Sequence, residues 1–275
     1  MQPSNVRPNP LPVESQTRYN ARMKIIPLQS GSNGNCVYVE TNDARLLFDA
    51  GISGVRAQER MAQHDRDIRR IDAVLISHDH ADHVRCAGVY HRKFRLPVHM
   101  TSKTFSAARG KLGRIDTPTH FERGDVIDFG KTKVETIPTP HDGVDGVAFI
   151  VDDGQTRLGI LTDLGYVFRG LAEVLASLDA VLLESNYDPE MLEQGPYPYW
   201  LKKRIRGNGG HLSNAQAAML LKRAADQRLR WACLAHLSEE NNDPRRAMAT
   251  HREILDDNLH LHVASRYDAT GEFEV

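Results

Sequence analysis

The apolar run "IDAVLI" (71–76) leads straight into "SHDHADHV", which packs three histidines and two aspartates into six consecutive positions. A continuous apolar run of this length reads as a strand buried on both faces. Polar groups at the end of such a strand must be paired or must hold a metal, because leaving them alone costs several kcal/mol each. The ordinary reading is a histidine-rich turn. The alternative is a metal site, and it requires ligand partners elsewhere in the chain.

The spacing His78-x-His80-x-Asp82-His83 suits two ions. Alternate positions in a turn point His78 and His80 at one metal; Asp82 and His83, one turn later, face a second. Imidazole and carboxylate are ligands for first-row divalent ions, Zn foremost, with Mn or Fe as the other options. The partners exist, each at the end of a strand-like run: His141 in "ETIPTPHDG", Asp163 in "RLGILTDLG" and His236 in "RWACLAHLS". Strand ends gather on one edge of a sheet, where loops build sites. Singly, each would be a turn or core residue. Together with the cluster they describe a dinuclear centre.

At 275 residues the chain is long enough for one well-buried domain. A formal net charge of −1 gives no global attraction to polyanions, so any must be local. Cys36, Cys86 and Cys233 are odd in number and scattered, which speaks against a disulfide framework and fits a reducing cytoplasm. No apolar run approaches the ~20 residues of a membrane span. Residues 1–22, rich in Pro, Asn, Gln and Ser, read as a loose extension before a domain over 23–275.

From Met23 onward short β-rich runs and helical stretches alternate. Strands are expected at "MKIIPLQ", "CVYVET", "ARLLFDAG", "IDAVLIS" and "LPVHM", with helices over 53–65, through "HVRCAGVYHRKF" and near 102–111. The second half repeats the scheme with "DVIDF", "TKVETIPT", "GVAFIVDD", "TRLGILTD", "DAVLLE" and "WACLAH", and helices near 168–176, 213–226 and 244–256. Two such halves, each a sheet covered by helices on one face, predict an α/β protein of αββα type. Its two mixed sheets pack face to face, with helices on the outer faces.

This ligand pattern resembles the metallo-β-lactamase fold in its binuclear hydrolase form, from about Met23 to the C-terminus. The resemblance implies that His78, His80 and His141 hold one metal, that Asp82, His83 and His236 hold the other, and that Asp163 bridges them. Asp49 in "LLFDAG" matches the family's early aspartate, which orients a ligating histidine from outside the ligand set. The segments "SGSNGNCVYVE", "TDLGYV", "LESNYD", "QGPYP", "GHLSNAQAA" and "LAHLSEENN" resemble the bacterial YycJ/WalJ-like branch. That branch is associated with 5′-to-3′ DNA exonuclease or phosphodiesterase activity. Two departures stand out. Tyr187 occupies a position where a histidine is expected, which puts one substrate contact in question, and the 22-residue extension is unusual.

Two segments contain His-Leu-Ser, and only one histidine need be a ligand. His211 precedes Ser213-x-x-Gln216, a capping box that opens a helix. Helix N-termini attract phosphate through their free N–H groups. His236 instead ends an apolar strand, where a rigid ligand belongs. His236 is therefore expected on metal, and His211, with Ser213, on substrate, donating to phosphate or protonating the leaving oxygen. Upstream, Lys202, Lys203, Arg204 and Arg206 alternate with Tyr197, Tyr199 and Trp200. They read either as phosphate-pairing and base-stacking groups or as a solvated basic helix over core aromatics. Ser185 and Asn186 follow another strand and would contact substrate or orient ligands; Glu184 would orient ligands. The Asn33–Gly34–Asn35 turn reads either as a simple hairpin turn or as one whose glycine lets the backbone approach the metals closely.

Asp82, Asp163 and His211 form the expected catalytic group. Two divalent ions ~3.5–4 Å apart would activate a bridging hydroxide, held by Asp163, for attack on phosphorus. The expected substrate is DNA, with RNA or a small, even cyclic, phosphate ester as alternatives, and no membrane partner. A thioester or lactam hydrolase of the same fold is a further reading, and so is a metal-stabilised scaffold that binds nucleic acid without turnover.

Overall fold

The computed structural model describes residues 23–224, 228–255 and 259–275. The extension expected over 1–22 lies outside these residues, as do the last positions of the helices expected at 213–226 and 244–256.

The first half of the chain builds β1 (Lys24–Gln29), β2 (Cys36–Glu40), β3 (Arg45–Phe48), α1 (Gly54–Ala62), β4 (Ala73–Leu75), α2 (Ala81–Val84), α3 (Ala87–Phe94), β5 (Val98–Met100), α4 (Ser102–Leu112) and β6 (Thr119–His120). The second half builds β7 (Val126–Phe129), β8 (Thr132–Pro138), β9 (Val147–Asp152), β10 (Arg157–Leu161), α5 (Leu171–Ala176), β11 (Ala180–Glu184), α6 (Pro189–Gln194), α7 (Tyr199–Arg206), α8 (Asn214–Ala224), β12 (Trp231–Ala235), α9 (Pro244–Ile254), β13 (His260–Val263) and β14 (Phe273–Glu274). Two seven-stranded sheets result, ordered β14-β1-β2-β3-β4-β5-β6 and β13-β12-β11-β10-β9-β8-β7. Each mixes antiparallel and parallel pairs, the parallel ones running β3 to β6 and β10 to β13. The expected αββα sandwich is the observed architecture. One detail differs: β14, from the end of the chain, pairs with β1 and so belongs to the first-half sheet.

The apolar runs are continuous because both faces of the central strands are covered. In β2, Val37 and Val39 enter the core between the sheets, whereas Cys36 and Tyr38 face the helix layer. In β11, Ala180 and Leu182 point inward, and Val181 and Leu183 pack under the helices of the second layer. The helices start where local chemistry tells them to. Ser53, Thr101, Asp188 and Asp243 each cap a first turn by accepting a backbone N–H. Ser213 and Gln216 form the expected reciprocal box before α8, the Ser213 amide donating to Gln216 Oε1 at 2.9 Å and the Gln216 amide to Ser213 Oγ at 3.3 Å.

Topology then fixes where a site can form. Strands β3 and β4 are parallel, as are β10, β11 and β12, and β8 runs in the same direction as β10. Their C-terminal ends therefore share one edge in each sheet. The two edges are tied together where the Val147 amide donates to the Ser77 carbonyl at 3.1 Å. No helix among the described residues is long and apolar enough to cross a membrane.

Candidate metal centre

After β4 the chain turns through Ser77 and His78 to His80, which stands at the N-cap of α2, and α2 carries Asp82 and His83 in its single turn. This short helix is clamped from outside. The amides of Asn35 and Ala50 donate to the carbonyls of Asp82 and His83, each at 2.7 Å. Gly51 lies so close that a Cβ there would run into the Asp82 carbonyl oxygen, which leaves room for glycine alone. Asp49, Asp163 and His236, at the ends of β3, β10 and β12, all have left-handed backbone, with φ of 64°, 57° and 55°. Non-glycine residues in that region cost free energy and gather at functional sites.

The strand ends bring the expected ligands together. Ligand atoms of His78, His80 and His141 lie within 4.8 Å of one another, and so do those of Asp82, His83 and His236. Asp163 joins both groups, lying within that distance of His78 and His83 and, in a further cluster, of Glu184, His211 and His236. Two buried atoms at the centre, His78 Nε2 and Asp163 Oδ2, have no hydrogen-bond partner. An orphan of this kind costs roughly 1–3 kcal/mol, a cost that a cation removes. Neutral imidazoles with carboxylates are also the donor set that divalent metals take. The residues present fit two metal ions.

Three of the histidines are aimed by a bond at Nδ1. His83 Nδ1 meets Asp49 Oδ2 at 2.7 Å, and Asp49 Oδ1 accepts from the Ser77 amide at 2.8 Å. Ser77 Oγ donates to Asp49 at 2.9 Å and lies 3.0 Å from His78 Nδ1, so one aspartate steadies two ligands. His141 Nδ1 donates to the Gly210 carbonyl at 2.9 Å. These bonds leave the Nε2 atoms for a metal. Asn35 Nδ2 approaches His83 Nε2 at 3.0 Å and Asp82 Oδ2 at 3.3 Å, the close approach expected of its turn.

The electrostatics follow from packing five imidazoles against carboxylates in a largely buried site. Burial holds His78 well below the usual histidine range, so it is a neutral donor. Burial opposes charge on His236 too, but Asp163, Asp82 and Glu184 outweigh it and push His236 up to about 10. Asp163 is buried as well, yet His236, His83 and His141 keep its carboxyl well below the usual range. A divalent cation bound among these groups would compete with protons for the same donor atoms.

His211 enters the same site from the other side. Its Nδ1 lies 2.7 Å from Glu184 Oε1 and 3.6 Å from Asp163 Oδ1, and its ring sits 5.2 Å from that of His236. Glu184 is fully buried, which raises a carboxyl, but His211 and His236 pull it down to about 2. Its other oxygen accepts the amides of Leu164 and Leu212, both at 3.1 Å.

Other expected contacts fall differently. Ser185 is fully buried and donates to Asn214 Oδ1 at 2.7 Å, in a network completed by Asn242, so it has no access to substrate. Asn186 donates to the His236 carbonyl at 2.7 Å and steadies that ligand, although it also lines the cleft. Ser213 Oγ is taken up by the helix cap. Tyr187 packs with Leu192 and Ile205 in a small apolar cluster and carries no substrate-side group.

A cleft of about 340 Å³ opens over the ligands, lined among others by Ser32, Asp163, Tyr197, Arg204, His211 and His236. Leu201, Arg204 and Ile205 of α7 cap it, a helix that, like the preceding α6, the sequence pattern did not delimit. The basic run divides there. Arg204 forks onto Asp142 at 2.6 and 3.0 Å, Arg206 pairs with Glu193, Lys202 reaches the Glu193 carbonyl, and Lys203 is exposed. Tyr197 packs inward, whereas Tyr199 and Trp200 stand 81% and 67% exposed. Asp142 is a residue that sequence reasoning passed over. Its Oδ1 lies 3.3 Å from His80 Nε2 and 3.6 Å from His141 Nε2, and its only sequence signal is that it follows His141.

Comparison with known proteins bears on this geometry. The family model described as the metallo-beta-lactamase superfamily matches residues 30–183. The chain is 35% identical over 232 residues to Exodeoxyribonuclease YycJ of Bacillus anthracis, covering 84% of this chain and 88% of that protein. It is 38% identical over 221 residues to Exodeoxyribonuclease WalJ of Streptococcus pneumoniae, covering 78% and 81%. Among solved structures, the metallo-beta-lactamase fold protein YhfI of Bacillus subtilis superposes with a TM-score of 0.71 at 16% identity, over 92% of this chain and all of that one (100%).

Proposed function

Because the chain belongs to the metallo-β-lactamase superfamily, we propose that it is a two-metal phosphodiester hydrolase that digests DNA from a strand end, in the 5′-to-3′ direction. The names of its relatives, exodeoxyribonucleases at 35% and 38% identity, support the substrate class. The observation that carries the reading is the His211–Glu184 pair, at 2.7 Å, on the wall of the cleft that holds the ligand cluster. A thiolate leaves without help because its conjugate acid has a pKa near 8.5. A sugar alkoxide needs an acid. A histidine held by a buried carboxylate meets that need and is surplus for a thioester.

Two divalent ions, Zn or Mn, held by His78, His80 and His141 on one side and by Asp82, His83 and His236 on the other, with Asp163 between, would supply Lewis acidity and an activated water. The protein's own groups do the rest. Glu184 accepts from Nδ1 of His211 and holds the ring in place, so that Nε2 is the nitrogen turned to the departing oxygen and hands it a proton. Asp49 and Ser77 hold the ligands against rotation as charge moves. Lys203, Arg206 and the exposed faces of Tyr199 and Trp200 offer phosphate pairing and stacking along the approach. The cysteines are unpaired, which agrees with a cytoplasmic setting.

The test uses 5′-phosphorylated, 3′-labelled single-stranded DNA and protein loaded with Mn or Zn, with an Asp163→Ala variant alongside. Stepwise shortening from the 5′ end, absent in the variant, is the expected result. DNA left intact while a small phosphodiester is cleaved would overturn the DNA assignment.

A further inference from the structure

Among the described residues, buried side-chain atoms without a hydrogen-bond partner gather in two places. One is the metal centre. The other is a pocket of about 420 Å³ between α1, the Ser30–Asn35 loop and the β13–β14 connection. Gln29 Nε2, Asn33 Oδ1 and Arg266 Nε are all unpartnered, and all three residues line this pocket. Gln29 is 1% and Arg266 8% exposed, so water does little for either. Tyr38, His99, Arg157, Asn241 and His251 each leave one such atom as well, none of them lining this pocket.

The free groups have a definite chemistry. Arg266 Nη2 lies 3.0 Å from Glu239 without forming a hydrogen bond, and its Nε–H likewise has no partner. Gln29 gives Oε1 to Arg60 at 2.5 Å, which fixes the amide so that its NH₂ is the unused end. Arg56, exposed on α1, makes no side-chain bond among the described residues. Arg60 is committed to the carbonyls of Leu28 and Tyr267. The carboxylates of the lining, Glu59 and Asp268, belong to exposed residues at the rim. Two deep donors, Gln29 and Arg266, and the exposed guanidinium of Arg56 come from three separate elements, which suits an anion whose acceptor oxygens point in several directions. Asn33 asks for one donor in return, because its Nδ2 is already given to the Arg266 carbonyl at 3.1 Å.

We propose that this pocket binds phosphate in a form that carries a P–OH: inorganic phosphate, or the monoanion of a terminal phosphate monoester. An internal phosphodiester has no such proton to offer Asn33. The pocket shares a wall with the metal centre. Ser32 lines the catalytic cleft and Asn33 lines the pocket, while Asn35 touches His83 and Ser30 Oγ accepts the His236 amide at 2.9 Å. A strand terminus seated here would lie one loop away from the ligands. That source rests on the nuclease reading; phosphate binding itself does not.

The full chain is titrated calorimetrically with inorganic phosphate in EDTA, which keeps metals out of the measurement. The expected result is one site, weakened at least tenfold by Arg56→Ala and by Gln29→Glu. The second variant keeps side-chain volume and the acceptor for Arg60 while removing the free donor. Arg69→Ala, on an exposed residue paired with Asp67 elsewhere, leaves binding unchanged. No binding, or binding equal in wild type and both variants, overturns the proposal. Oligonucleotides of one sequence, bearing a 5′-phosphate, a 3′-phosphate or neither, identify the source. A tenfold preference for one phosphorylated end, lost in both variants, assigns the strand terminus; equal affinity for all three alongside retained phosphate binding assigns free phosphate. If the metal-loaded protein cuts no DNA yet binds phosphate here, the nuclease reading falls and this pocket stands.

Discussion

The floor and the roof of the cleft are built on opposite terms. On the floor, His78, His83, His141 and His236 are buried, and each is held by a further bond to Ser77, Asp49, Gly210 or Asn186. On the roof, α6 and α7 rest on a small cluster of Tyr187, Leu192 and Ile205 and present exposed charges and two bare aromatic rings to solvent. A metal centre tolerates little displacement, so its supports are redundant. A surface that must admit and release a long polymer needs shallow, replaceable contacts, and solvent-exposed ion pairs are worth little individually.

Damage to the floor should therefore be catastrophic, and damage to the roof graded. Asp163→Ala removes the carboxylate shared by both ligand groups and should cut turnover on the order of 10³-fold or more, with metal content measured by plasma emission falling in parallel. His211→Ala should lower kcat by about 10²–10⁴ on DNA, while a nitrophenyl phosphodiester, whose leaving group needs no proton, loses far less; equal losses on both substrates would remove His211 from the acid role. Asp49→Asn leaves His83 poorly aimed and should weaken metal affinity by roughly 10–100-fold, read by competition with a chromophoric chelator.

The pH dependence of loading tests the floor without mutation. His236, pushed up to about 10 in the metal-free site, carries a proton at neutral pH that a metal must expel. Affinity should then rise with pH and fall about tenfold per unit of acidification for each proton released. Calorimetry in buffers of different ionisation enthalpy counts those protons, and a count of zero would contradict the charge arrangement described. The smallest effect belongs to the roof. Trp200→Ala should cost about 1–3 kcal/mol per stacked base, seen as a raised KM for single-stranded DNA with kcat and the small-ester rate unchanged.

The floor was largely legible in the sequence, and the roof was not. Ligands at strand ends can be read because an apolar strand buried on both faces announces its own end, and His78 to His83 stand in one contiguous stretch. Ser185 misled for a related reason. One step past a strand end, the chain direction decides which side chains meet the cleft, and here Glu184 and Asn186 face it while Ser185 turns to Asn214. Asp142 gave no pattern at all, since its meaning lies in Arg204, 62 positions away. In α7 the aromatic and basic residues were visible, but which rings pack and which stay bare depends on the Tyr187 cluster beneath them. Strands β6, β13 and β14 are two to four residues long, too short for alternation to show.

The left-handed backbone at Asp49, Asp163 and His236 carries a consequence for how such a protein drifts under selection. Glycine would relax each of these positions, and at 49 and 163 it would also remove a buried carboxylate. Laboratory evolution for heat resistance alone, with no demand for turnover, should enrich glycine at 49, 163 and 236, trading the active centre for a calmer scaffold.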